Sequence, residues 1–138
     1  MLIGADVSMG SLSADDKDGK SLYRHAVRLT NYQNRHDGPL ALSNVKRVGV
    51  APRAGRHGLP DNAPPSAVNV DCSDYWKTIP KSRKMVANGN RTHSWHFGDP
   101  VFIGDLADVL KGTDRASIAT REPIGSSTNR FVLRKPKK

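Results

Sequence analysis

Residues 51 to 66 read APRAGRHGLPDNAPPS, with four prolines and two glycines in one stretch. Proline fixes φ and has no backbone N–H to donate, so neither a regular helix nor a central strand is expected here. A structureless connection longer than about 12–15 residues is unusual in a compact domain, and is then functional or disordered. Arg53, Arg56 and His57 make the stretch basic. Two readings fit: an extended arm lying on a polyanion, or a mobile surface loop.

Strand signals on either side are short. SLYRHAVRLTNY alternates, with Tyr23, His25, Val27 and Leu29 on one side and Arg24, Ala26, Arg28 and Thr30 on the other. SNVKRVGV puts Val48 and Val50 in register, and SAVNVDC sets Val68, Val70 and Cys72 against Asn69, Asp71 and Ser73. NRFVLRK is a fourth candidate, and NRHDGP reads as a turn at Asp37-Gly38. The clearest helix is DPVFIGDLADVLKG. Asp99 can cap it, Pro100 loses nothing in the first turn, Phe102, Leu106, Val109 and Leu110 form a stripe, and Gly112 can end it. A second helix is expected from Thr113 or Asp114 to Arg121, stopped by Pro123. The expected fold class is α+β: one domain over residues 1–138, with a small, mainly antiparallel sheet, one or two C-terminal helices and long irregular basic loops.

The core has little material. Hydrophobic residues are 36% of the 138 and aromatics 6%, and the 12 glycines bury little area. Charge is the stronger signal. Lys and Arg number 22 against 13 Asp and Glu, a formal net charge of +9, with a pI of about 10.1. A pI above about 9 is the footprint expected of a nucleic-acid binder, because each phosphate neutralised by a cation releases a condensed counterion.

The charge is also segregated. Residues 1–20 form an acidic N-terminal segment with Asp6, Asp15, Asp16 and Asp18, whereas 20–57 carry eight Lys and Arg against Asp37 alone. Lys77, Lys81, Arg83, Lys84 and Arg91 follow without an acid, and so do Arg134, Lys135, Lys137 and Lys138 in the 130–138 tail. Such blocks argue for a basic surface rather than a salt-bridged one. Tyr75-Trp76 and Trp95-Phe97 flank the central block. A positive groove with aromatic platforms for bases is the pattern of sequence-tolerant nucleic-acid binding, although core packing of both tryptophans is the competing reading.

LADVLKGTDRASIATR, residues 106–121, resembles a helix-turn-helix core, with Ala107, Gly112 and Ile118 in the small, turn and aliphatic places. The interval from Ala107 to Gly112 is one residue too long for that motif. The resemblance would make Arg115, Ser117, Thr120 and Arg121 the residues facing a DNA groove.

RTHSWHF holds two histidines three apart. As a strand it turns His93 and His96 to opposite faces, so that they cannot share one metal ion. A His-dependent nuclease would use His93 or His96 as acid or base, with Asp99 or Asp37 as orienter. HExxH, CxxC, P-loop, GxSxG and GxGxxG patterns are absent. One cysteine, Cys72, excludes an intrachain disulfide. The N-terminus lacks the pattern of a secretory signal, and no run has the length of a membrane span.

These observations lead to an expected function: a non-enzymatic, nucleic-acid-associated structural protein, a basic subunit of a ribonucleoprotein or viral particle. It would contact the phosphate backbone of RNA rather than DNA through Arg53, Arg56, Lys77, Lys81, Arg83, Lys84, Arg91, Arg134, Lys135, Lys137 and Lys138. Other protein subunits are expected partners, with no metal, no cofactor and no membrane, in an intracellular setting. Three alternatives stand beside it: a sequence-specific DNA-binding regulator, a His-dependent nuclease, and a protein-only capsid-type subunit.

Overall fold

The computed structural model describes residues 1–46, 52–80, 82 and 91–136. Its centre is a mixed five-stranded sheet in the order β1-β2-β3-β5-β4. β1 (Leu2–Ile3), β2 (Leu29–Gln33), β3 (Ala67–Asp71) and β5 (Arg130–Leu133) run parallel to one another. Only β4 (Arg121–Pro123) is antiparallel, closing a hairpin with β5. The sheet is therefore mainly parallel, not mainly antiparallel.

Parallel neighbours need long crossovers, and the helices supply them. α1 (Lys17–His25) joins β1 to β2, α2 (Gly38–Lys46) and α3 (Ala54–His57) lie between β2 and β3, and α4 (Ser73–Thr78) and α5 (Pro100–Leu110) lie between β3 and the hairpin. The helices are spread along the chain rather than gathered at its C-terminus.

A parallel sheet is covered on both faces, and β2 and β3 are buried along most of their length. On one face Tyr32, Val68, Val70, Phe131 and Leu133 pack with Tyr75, Ile79, Trp95 and Phe102. On the other, Leu29 and Ala67 pack with Leu12, Ala54 and Leu59, flanked by Leu22 and Tyr23 of α1. The alternation of SAVNVDC predicts a solvated face for Asn69, yet Asn69 is buried. Asn31 Nδ2 donates to Asn69 Oδ1 at 2.8 Å and to the Ala54 carbonyl at 3.1 Å, and Leu59 N donates to Asn69 Oδ1 at 3.1 Å. These bonds pair the amide of Asn31 with the carbonyl of Asn69 across adjacent strands, which lets that face be covered, while Asn31 Oδ1 finds no partner among the described residues.

Other expectations are revised by local chemistry. SLYRHAVRLTNY is not one strand. Asp16 caps α1 by accepting from Asp18 N at 2.9 Å, and Gly19, Leu22, Tyr23 and Ala26 follow helical spacing, so β2 starts only at Leu29. In NRHDGP, Asp37 starts α2 rather than supplying a positive-φ turn: its Oδ1 accepts from Leu40 N at 3.0 Å. SNVKRVGV begins inside α2, and residues 47–51 lie outside the described residues.

The Pro/Gly-rich stretch is not an extended arm over its described residues, 52–66. Met9 N donates to the Pro52 carbonyl and Ala54 N to that of Val7, both at 2.8 Å. One helical turn, α3, follows.

A helix forms at 100–110 with the expected cap, Asp99 Oδ1 accepting from Val101 N at 3.1 Å and Phe102 N at 2.9 Å. Gly112 follows it at φ 79°. The second expected helix does not form. Residues 113–120 are turns that lead directly into β4, so no recognition helix follows Gly112. Three of the four side chains proposed to face a groove are used internally, and Ser117 stays exposed. Thr120 Oγ1 donates to Asp105 Oδ2 at 2.6 Å, Arg121 pairs with Asp105 at 2.6 Å, and Arg115 donates to the Pro65 carbonyl. No helix among the described residues is long and apolar enough to cross a membrane.

Candidate functional site

In open α/β sheets, loops at the carboxyl ends of parallel strands carry ligand sites. Here β2 ends at Gln33 and delivers Asn34, Arg35, His36 and Asp37. β3 ends at Asp71 and delivers Cys72 and α4. The segment from Arg91 to His93 lies across both: Trp76 Nε1 donates to the Arg91 carbonyl at 3.3 Å, Asn34 Nδ2 to the Thr92 carbonyl at 3.2 Å, and Gly38 N to Thr92 Oγ1 at 2.9 Å.

Two groupings share this end of the sheet. The first is basic and aromatic. The His36 and Trp76 rings stack with centroids 5.2 Å apart and 23° between their planes. Asp74 Oδ1 is shared by Arg35 at 2.5 Å and Lys77 at 3.0 Å, so two exposed cations divide one exposed carboxylate. Burial, and then the positive charges of Lys77 and Arg35, hold His36 below its ordinary pKa; Arg56 adds a smaller push the same way. Arg56 Nη1 donates to the Asp37 carbonyl at 2.8 Å.

The second grouping is a dyad. His93 Nδ1 lies 2.6 Å from Asp37 Oδ2; the Asp37 side chain is 2% exposed and that of His93 36%. RTHSWHF is not a strand: residues 91–93 are a turn and Trp95–Gly98 a 3-10 helix. Three-residue spacing therefore brings the two histidines to one side. Both line a cavity of about 10 Å³ with Gly4, Asn34, Asp37 and Cys72, room for one water molecule. Burial pushes the His96 imidazole down to about 4, with the neighbouring His93 acting in the same direction. Cys72 is no nucleophile, since burial raises its thiol well above the ordinary value.

Asp99 does not join the histidines. It is buried, caps α5 and accepts from Tyr75 Oη at 3.0 Å on both oxygens. Among the described residues, no group of three His, Cys, Asp or Glu side chains is placed to hold a metal ion.

The other sequence-derived cations are scattered. Arg53 is 3% exposed and faces Asp6, with Nε 2.9 Å from Oδ1, so it is interior rather than a phosphate contact. Arg134 pairs with Glu122 at 3.1 Å, and with Lys135, Tyr75 and Thr78 it lines a separate groove of about 340 Å³. Lys81, Arg83, Lys84, Lys137 and Lys138 lie outside the described residues. Arg56, Lys77 and Arg91 are the expected residues that reach the carboxyl end of the sheet. A turn at NRHDGP gives no sign that Arg35 and His36 join them there. Trp95 is a core residue and Trp76 half-buried.

Gly55 holds this end together. Its N–H donates to the Ala5 carbonyl at 3.0 Å, and its own carbonyl accepts from Asn34 N at 2.8 Å. A Cβ there would stand 2.3 Å from Ala5 N and 2.5 Å from Gly4 C, both backbone atoms. Gly55→Ala is expected to destabilise the fold by about 1–3 kcal/mol through overpacking, read as a lower urea midpoint at unchanged m-value.

No family model, curated protein or solved structure matches the chain.

Proposed function

We propose that the protein associates with nucleic acid through phosphate contacts at the carboxyl end of its parallel strands. The observation that carries this reading is the convergence of Arg35, Arg56 and Lys77 around the His36–Trp76 stack, where Asp74 alone is shared between two of the cations. Cations neutralise phosphate, and an aromatic pair offers a surface against which bases stack at roughly 1–3 kcal/mol each. Phosphate contacts of this kind position a strand without selecting its sequence. A basic subunit of a ribonucleoprotein or viral particle is the setting that such a face suits, with RNA as the partner.

The test is fluorescence anisotropy with single-stranded RNA and DNA over a salt series. Each phosphate contact contributes about −0.7 to the slope of log K against log salt for single strands. Arg35→Ala with Lys77→Ala is expected to flatten that slope by roughly 1.4. Lys17→Ala with Lys20→Ala, on α1 across the sheet, is expected to leave it unchanged. A flat salt response, or no binding by the unaltered protein, defeats the proposal.

A further inference from the structure

We propose that Asp37 and His93 form a general-base dyad that activates a water molecule to hydrolyse phosphodiesters of the nucleic acid held beside it. The inference rests on the nucleic-acid reading above and adds a reaction to it.

The geometry is that of an oriented base. The Asp37 carboxylate is fixed at both oxygens, Oδ1 on Leu40 N at 3.0 Å and Oδ2 on His93 Nδ1 at 2.6 Å. An ionised carboxylate only accepts, so beside it Nδ1 is the donor, and in the neutral ring Nε2 is then the nitrogen that can take a proton. No described residue is bonded to Nε2, and a side chain 36% exposed is within reach of substrate. Gly4, at φ 53°, sits against the imidazole: a Cβ there would come within 3.0 Å of Cε1. The two hydrogen bonds to Thr92 hold the preceding residue. A base positioned by a buried third group is the arrangement that activates a nucleophile. Neither Cys72, buried and protonated, nor any other described side chain of the cavity supplies that nucleophile. The cavity has the volume of one water. The basic patch adjoins the dyad through the Arg56 contact to the Asp37 carbonyl, and a cation near a reacting phosphate offsets the charge that gathers there.

The step balances without a further reactant. Water gives a proton to His93 Nε2 as its oxygen bonds to phosphorus. The bond from phosphorus to one ester oxygen breaks, that oxygen takes a proton from solvent, and the imidazolium returns its proton to solvent. The products are a phosphomonoester and an alcohol.

The experiment uses the full chain with EDTA present, end-labelled RNA and DNA of one sequence, and bis(4-nitrophenyl) phosphate as a small diester probe. Cleavage of both polymers to monoester ends is expected, because water rather than the 2′-hydroxyl attacks. His93→Gln and Asp37→Asn are expected to lower the rate by about 10²–10⁴-fold. His93→Gln should leave anisotropy-measured binding and the circular dichroism spectrum as they are. Asparagine can still accept from Leu40 N, so Asp37→Asn tests orientation apart from folding. Binding without cleavage of any substrate overturns the dyad and leaves the interface standing. Turnover of the small diester without polymer binding overturns the interface and leaves the dyad. Cleavage that survives His93→Gln also overturns the dyad.

Discussion

Asp105→Ala is expected to cost about 3–5 kcal/mol of folding stability, the usual penalty for removing one member of a buried ion pair. Asp105 and Arg121 have side chains 0% and 1% exposed and meet at 2.6 Å. The carboxylate also accepts from Tyr32 Oη at 2.7 Å and Thr120 Oγ1 at 2.6 Å. Alanine leaves the guanidinium, a phenol and a hydroxyl without their acceptor in the interior, where each unmet group carries its full desolvation cost. Small domains are stable by only about 5–15 kcal/mol, so the variant should unfold at a much lower urea concentration. Replacing both partners, Asp105→Leu with Arg121→Met, should recover a good part of the loss, because no uncompensated charge remains. Equal destabilisation by the double and the single variant would contradict this account.

The second large effect is a loss of stability in acid centred on His96. The residue is 6% exposed, and its ring packs on Phe97 and Phe102, with centroids 4.3 and 5.2 Å away. Burial, with the neighbouring His93, lowers its pKa from 6.5 to about 4, against a smaller opposing pull from Asp37 and the His93 carbonyl. The folded state thus refuses a proton that the unfolded chain accepts. The contribution is complete above about pH 6.5, declines as pH falls through that value and levels off below about 4. The difference amounts to roughly 3 kcal/mol at about 1.4 kcal/mol per pH unit. His96→Phe keeps a ring and removes the titration. The gap between its urea midpoints and those of the parent should therefore change across pH 7 to 4. A constant gap would exclude His96 as the source.

Helix α5 is legible in the sequence because its determinants are local: Asp99, Pro100 and Gly112 act within their own turns. The parallel sheet is not, because its signature is a pair of asparagines 38 residues apart. Asn69 reads as a solvent position until Asn31 is beside it. Charge blocks mislead for a related reason. Counting cations along the chain does not show that Arg28 reaches the Thr113 carbonyl, that Arg130 reaches those of Leu59 and Pro60, or that Arg121 is interior. The Asp37–His93 pair joins residues 56 apart. Each partner is recognisable as a candidate, but the fold alone makes them neighbours. The strand reading of RTHSWHF separates the two histidines by alternation, whereas the turn and 3-10 helix that actually form bring them to one cavity.

The sheet's outermost strands have a consequence for how copies of this chain can meet. A long unpaired strand edge is a template for another chain and a route to fibrils. Here one edge is β1, two residues long, and the other is β4, three residues ending in Pro123, which has no N–H to offer. Neither edge presents a ladder long enough to recruit a strand. Copies of this chain can therefore crowd together without their sheets joining edge to edge.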